Sequence, residues 1–408
     1  MEDKQQLSGP NRNLAGNIRE QASAIFREVV SIRRHLHQHP ELSFHEYQTS
    51  NFAAEKLREY GIGYKQVAGT GILAMITGKK GKSSRSIALR AELDALPVNE
   101  ETGLTFKSVN PGVMHACGHD VHTACLLGSA KIIKSLENEF AGSVYLIFQP
   151  GEETLPGGAK KMLNENLFAG KEPDLILAQH VLPELNSGEI GVRPGMYMAS
   201  GDEIYIVVTG EGGHAAMPHT ITDTVAAMSQ IIVSLQQVTS RFAPPQIPTV
   251  LSFGKFTANG ATNVIPREVV IEGTFRTMDE TWRAKAHEVI TSIATSTASG
   301  FGAACSVEIR KGYPVLVNDP EKTGLIRKLA GEFIGAGNVK ELPLRMTCED
   351  FAWFAGKYPS VFYRLGSGCQ DKKLHSPEFD IDEKTMETGI ALPAWFALSF
   401  LTRSPLVI

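Results

Sequence analysis

The chain has 408 residues, 42% of them hydrophobic and 21% charged, and a formal net charge of −4. That is the balance of a soluble globular protein, long enough for two or three domains or for one large core with an inserted second domain, and it offers no basic surface for nucleic acid. Five scattered cysteines, Cys117, Cys125, Cys305, Cys348 and Cys369, argue against a disulfide framework and for a reduced, cytoplasmic setting. The N-terminal residues are polar and lack the apolar core of a signal peptide. No apolar run approaches the roughly 20 residues that span a bilayer, so no membrane partner is expected.

In chain order, Ile25, Val29, Ile32 and Leu36 fall at helical spacing and predict a helix over 24–40, ended by Pro40. A second helix is expected after Ser43, which makes a capping-box pattern with Glu46; Phe52 and Leu57 supply its apolar face. Residues 71–78 and 86–94 read as strands, 122–136 as a helix, and 143–149 and 174–180 as buried strands. This alternation predicts an α/β layer structure. Near residue 190 the order changes. Strands at 203–210, 248–256 and 268–277, with helices at 222–240 and 279–299, read as β-α-β-β-α. Residues 306–315 add an edge strand or a return linker, and α/β character resumes from 320. The expected organisation is a catalytic domain in two parts, 1–194 and 309–408, interrupted by a small α+β domain at 195–308.

The unusual polar residues concentrate at predicted strand ends. Asp94 ends one strand, Glu152 and Glu153 follow another in QPGEE, and His180 ends a third. MHACGHDVH (114–122) precedes a helix and holds Cys117 and His119. In an open α/β sheet, ligands bind outside the carboxyl ends of the strands, so these distant segments are expected to meet in one crevice. Thiolate, imidazole and carboxylate together suit zinc and neighbouring divalent metals. In the Glu152-Glu153 pair, one carboxylate suits a metal and its neighbour suits a general base acting on water. Taken alone, Cys117 also permits a nucleophile served by His115 or His119, but that leaves the glutamates and His180 without a role. No second Cys/His pair at short spacing supports a zinc finger, and GEGGHAAMPH (210–219) lacks the spacing of a phosphate-binding loop.

Nine segments carry a more specific resemblance: RRHLHQHPELSFHE (33–46), LRAELDALPV (89–98), MHACGHDVHTA (114–124), FQPGEE (148–153), SGEIGVRPGMYMASGDE (187–203), GEGGHAAMPH (210–219), ATNVIPREVVIEGTFR (261–276), CEDFAWFA (348–355) and LHSPEFD (374–380). In type and order they resemble the metal-dependent amidohydrolase branch of the aminoacylase/carboxypeptidase family of zinc peptidases. That branch includes hippurate hydrolases, auxin-amino-acid conjugate hydrolases and N-acetyl-diaminopimelate deacetylases. The resemblance implies a mixed-sheet, zinc-peptidase-like catalytic domain with a ferredoxin-like β-α-β-β-α-β lid or dimerisation domain.

It also implies two divalent ions (zinc, manganese, nickel or cobalt) held by Cys117, His119, Glu153, His180 and His375. Glu152 is then the general base and later the acid, and Asp94 orients a ligand histidine. His214 stabilises the oxyanion, from its own or a partner subunit. Asn263 and Arg276 hold the substrate, with Arg276 suited to a free carboxylate. His35, His37, His39 and His45 are expected to be structural, and His122 to be packed or to support a ligand. Cys125, Cys305 and Cys369 are expected to be buried or inert. Cys348 and Val121 depart from the small residues usual in the family.

The implied activity is hydrolysis of N-acyl amino acids by metal-activated water, in a cytoplasmic homodimer or higher homo-oligomer. The alternatives are a carboxypeptidase or dipeptidase with the same di-metal chemistry, and a non-catalytic relative that binds amino-acid conjugates.

Overall fold

The computed structural model describes residues 10–403. The chain divides into two compact units. One comprises the chain up to Gly195 together with Val317–Pro343 and the residues from Trp353 onward; the other comprises Met196–Leu316 and Leu344–Ala352.

The first unit opens with α1 (Pro10–Gln38) and α2 (Tyr47–Glu59). Helix α1 starts well before residue 24, because Ala15, Ile18 and Ala22 extend the buried stripe of Val29, Ile32 and Leu36 toward the N-terminus. The capping-box expectation fails. The N-cap position of α2 is Glu46, which makes no capping bond. The helix amides are met instead by Glu41, whose carboxylate accepts from Thr49 N at 2.8 Å and Gln48 N at 3.2 Å. Phe44, with φ of 65°, turns the chain so that Ser43 and Glu46 point elsewhere.

Then follow β1 (Gly63–Val67), β2 (Gly71–Thr77), β3 (Ser86–Glu92), α3 (His119–Ser135), β4 (Ser143–Gln149), α4 (Gly158–Asn164), β5 (Leu175–Leu182) and β6 (Ile190–Val192). Every residue of β3 and β5 is buried, as expected of strands covered on both faces.

The second unit contains β7 (Asp202–Thr209), α5 (Thr224–Gln237), β8 (Thr249–Ala258), β9 (Glu268–Thr277), α6 (Glu280–Gly300) and β10 (Ala304–Lys311). The strands form an antiparallel sheet in the order β8-β9-β7-β10. Ile204, Ile206 and Val208 alternate inward from β7 and pack with Ile231, Leu235 and Ile290 of the two helices. Asp223 and Asp279 cap those helices, accepting from Ala226 N at 2.9 Å and Trp282 N at 2.6 Å. Buried Asp202 ties the base of the unit together: it accepts from Arg283 Nε at 2.9 Å, His287 Nε2 at 2.7 Å and Gly312 N at 3.0 Å.

The chain returns to the first unit with α7 (Pro320–Ile334), β11 (Val339–Glu341), β12 (Ser360–Gly366) and α8 (Thr385–Thr402). The large sheet has the order β1-β2-β4-β3-β5-β12-β6-β11, and its centre, β4-β3-β5-β12, is parallel. From β3 the chain reaches β4 on one side, and from β4 it crosses to β5 on the other. That reversal leaves a crevice beyond the carboxyl ends of β3, β4 and β5. No helix among the described residues is long and apolar enough to cross a membrane.

Candidate functional site

Three strand ends and two loops of the first unit build one cluster. Gly118 adopts φ of 84° just before α3, and a Cβ there would lie 2.5 Å from Val181. Only glycine makes that turn, which sets Cys117 and His119 on its two sides. Cys117 Sγ lies 3.4 Å from His180 Nε2 at the end of β5. His375 joins through its backbone, donating from N to Ala116 O at 2.8 Å with φ of 63°. Its Nε2 lies 3.4 Å from Glu153 Oε1. His119 Nε2 lies 4.0 Å from the same oxygen.

Two of these histidines are aimed from behind. His119 Nδ1 donates to Asp94 O at 2.9 Å and lies 3.2 Å from Asp94 Oδ1. His180 Nδ1 donates to Val181 O at 2.8 Å. Both rings therefore present Nε2 to the cluster. Asp94 Oδ2 accepts from Ser43 Oγ at 2.7 Å and Glu153 N at 3.0 Å.

The electrostatics call for a cation. Burial pushes the Cys117 thiol well above its ordinary range, and Glu153 and Glu152 push the same way. A nucleophilic cysteine needs the opposite shift. Burial lowers His119, but Asp94, Glu92 and Glu153 outweigh it and raise the imidazole to about 10. Burial, with Arg364 nearby, takes His180 well below 6.5, leaving a neutral imidazole. His119 Nε2 and Glu153 Oε1 are buried without a hydrogen-bond partner. Ligand atoms of Cys117, His119 and His180 lie within 4.8 Å of one another, as do those of Cys117, Glu153 and His375, and those of His119, Glu152 and Glu153. Overlapping groups of thiol, imidazole and carboxylate donors, two of whose buried atoms lack a hydrogen bond, fit divalent metal ions of the zinc type.

A further close group, Glu92, His119 and His122, is satisfied by protons. His122 Nδ1 bonds Glu92 Oε2 at 2.9 Å, and its Nε2 accepts from Val181 N at 2.9 Å. Arg90 Nη1 also donates to Glu92. His122 thus supports the Val181 backbone beside His180. Of the histidine run, His37 is buried between Asp120 (2.9 Å) and Glu100 (3.2 Å), and His35 stacks on Phe52. Cys125 and Val121 are fully buried, whereas Cys305 and Cys369 are only partly so.

The remaining predicted residues lie in the second unit. Gly213–His214 pairs with Val264–Ile265 in a two-stranded ribbon, and Ala215 N donates to Asn263 O at 3.0 Å, so His214 and Asn263 are neighbours. Both are exposed. His214 Nδ1 accepts from Ala216 N at 3.1 Å, which places the ring proton on Nε2. Arg276 lies at the far end of β9, its Nε donating to Thr274 Oγ1 at 2.9 Å and its Nη1 to Cys348 Sγ. The sequence reading missed Ser43, Glu46 and Glu92 as supports. The available signal was a charged residue in an otherwise apolar strand, as in SIALRAE.

Residues 88–398 match the profile of Peptidase family M20/M25/M40. The N-acyl-L-amino acid amidohydrolase of Geobacillus stearothermophilus is 40% identical over 305 residues, 74% of this chain and 81% of its own. Thermostable carboxypeptidase 2 of Saccharolobus solfataricus is 35% identical over 396 residues, 95% of this chain and 99% of its own. The solved structure of a Bacillus subtilis protein, described as a dinuclear metal binding peptidase from the M20 family, superposes with a TM-score of 0.78 at 33% identity, covering 93% of this chain and 99% of that one.

Proposed function

The chain belongs to peptidase family M20/M25/M40, and on that premise we propose that it hydrolyses the amide bond of N-acyl amino acids to a carboxylic acid and a free amino acid. Cys117, His119, Glu153, His180 and His375 would hold two divalent ions, of zinc, manganese, nickel or cobalt. When bound, the ions activate water and polarise the acyl carbonyl. Glu152 takes the proton from the attacking water and returns it to the leaving nitrogen. Asp94 keeps His119 in the tautomer that presents Nε2. His214, protonated on Nε2, donates to the developing oxyanion. Arg276 receives the substrate carboxylate through paired hydrogen bonds, and Asn263 helps hold the substrate.

The observation that carries this reading is the overlap of thiol, imidazole and carboxylate donors within 4.8 Å of one another, with His119 Nε2 and Glu153 Oε1 buried and lacking a hydrogen bond. It is tested by stripping the enzyme with a chelator, restoring defined metals, and assaying N-acetyl, N-benzoyl and N-acyl-diaminopimelate substrates. Full activity in the stripped enzyme contradicts it. The 35% identity to a carboxypeptidase favours a second reading, cleavage of peptides by the same residues. Peptides outpacing N-acyl amino acids in that panel would select it.

A homodimer would reconcile two of these roles. His214 lies beyond the N-terminal end of the ten-residue β9 and Arg276 near its other end. At about 3.3 Å per residue they are on the order of 30 Å apart, whereas an acyl group joined to one amino acid spans only roughly 7 Å. That separation supports a homodimer in which His214 is supplied by a second copy while Arg276 acts in its own chain. All five cysteines are free, which suits the cytoplasm.

A further inference from the structure

Residues 39–46 precede the segment that matches the family profile, and the reaction as outlined gives them no part. They are nonetheless built into the site. Ala95 N donates to Glu41 O at 2.8 Å, and Leu42 bridges Ala95 in parallel, so the segment runs beside the end of β3. From there two side chains reach the turn Pro150-Gly151-Glu152-Glu153. Glu46 Oε1 accepts from Gly151 N at 2.7 Å and from Phe44 N at 2.8 Å, while its Oε2 accepts from Thr70 Oγ1. Ser43 Oγ donates to Asp94 Oδ2, the same oxygen that accepts from Glu153 N. The Phe44 ring covers Gly151, where a Cβ would lie 2.3 Å from it. The backbone is therefore held immediately before Glu152 and immediately after it, by groups that are themselves anchored. Glu46 is fully buried, and its bonds to Phe44 N and Thr70 Oγ1 fix the carboxylate that holds Gly151 N.

We propose that Glu46, holding the Gly151 amide, and Ser43, acting through Asp94 on the Glu153 amide, are positioning residues that aim Glu152. The proposal rests on Glu152 as the proton carrier. A backbone clamp of this kind acts on the chemical step more than on substrate binding, since a misplacement of about 1 Å costs rate steeply.

The test uses the metal-loaded full-length enzyme. Glu46→Ala should lower kcat about 10- to 100-fold with KM and metal content little changed. Glu46→Gln keeps Oε1 as acceptor for both amides and should retain most of the activity. The double variant Glu46→Ala/Glu152→Gln should be no slower than Glu152→Gln alone, because the clamp has nothing left to aim. A further drop by the single-variant factor, or loss of metal together with activity in Glu46→Ala, would overturn the clamp. So would wild-type kcat in Glu46→Ala beside an inactive Glu152→Gln. Should Glu46→Ala fail to fold, Ser43→Ala removes only a hydroxyl; it should lower kcat several-fold, and an unchanged kcat there counts against the proposal. Failure of the underlying reading looks different: Glu152→Gln itself would turn over at near the wild-type rate.

Discussion

The two units carry their chemistry in opposite ways. In the first, Cys117, His119 and His180 are buried, and each histidine is fixed from behind by Asp94 or the Val181 carbonyl. In the second, His214 and Asn263 stand exposed on a short ribbon, held by its backbone pairing and by the bond from Ala216 N to the His214 ring. A cluster that must hold like charges and an unfavoured thiolate close together needs an enclosing framework. A donor that meets only the developing charge needs reach and a defined tautomer instead. The first unit thus holds its cluster in a fixed frame, while the ribbon of the second leaves His214 and Asn263 open to solvent.

The largest expected break in this contrast is Glu152→Gln. It should leave metal content and fold intact while lowering kcat by about a thousandfold or more, read by metal analysis and steady-state kinetics. His214→Ala should lower kcat about a hundredfold, consistent with loss of an oxyanion donor, and leave metal affinity untouched. Mixing it with Glu152→Gln should restore activity, since a hybrid dimer regains one site with both residues. A mixture as inactive as its parts would place His214 in its own chain's site. Arg276→Ala should act mainly on KM, raising it about tenfold or more for substrates with a free carboxylate, with little change for the matching amides.

The smallest effect concerns stability of the second unit. Burial raises the Asp202 pKa, but hydrogen bonds from Arg283 and His287 outweigh it and bring the group from 3.8 to about 2. A lowered folded pKa gives stability that is present above about pH 4 and lost as pH falls toward 2. It amounts to about 2 kcal/mol at neutral pH. Thermal melts of wild type and Asp202→Asn across pH 2–7 should converge at the acid end. A constant gap between them would show that Asp202 contributes only packing.

Much of the fold was legible because buried strands punctuate a sequence sharply. Residues 143–149 and 268–277 are strands over the very spans that their β-branched and apolar runs predict. The cluster was legible because its residue types are unusual at strand ends, and the parallel centre of the sheet brings those ends together. Less visible was anything that depends on a side chain's direction. Ser43 and Glu46 have the spacing of a helix cap, and only the left-handed Phe44 sends them toward Asp94 and Gly151. The start of α1 was hidden because small residues, Ala15 and Ala22, carry part of its buried stripe. The pairing of Glu92 with His122 joins residues 30 apart in sequence, which no local pattern reveals.

The central claim is that Cys117 is a metal ligand and water the nucleophile. Titrating the chelator-stripped enzyme with cobalt, while following thiolate-to-metal absorption and hydrolysis together, tests it most directly. The account predicts no hydrolysis in the stripped protein, a parallel rise of both signals to saturation at two ions per chain, and loss of the thiolate band in Cys117→Ser. Hydrolysis at full rate before any cobalt is added, or an unchanged band in that variant, would contradict it.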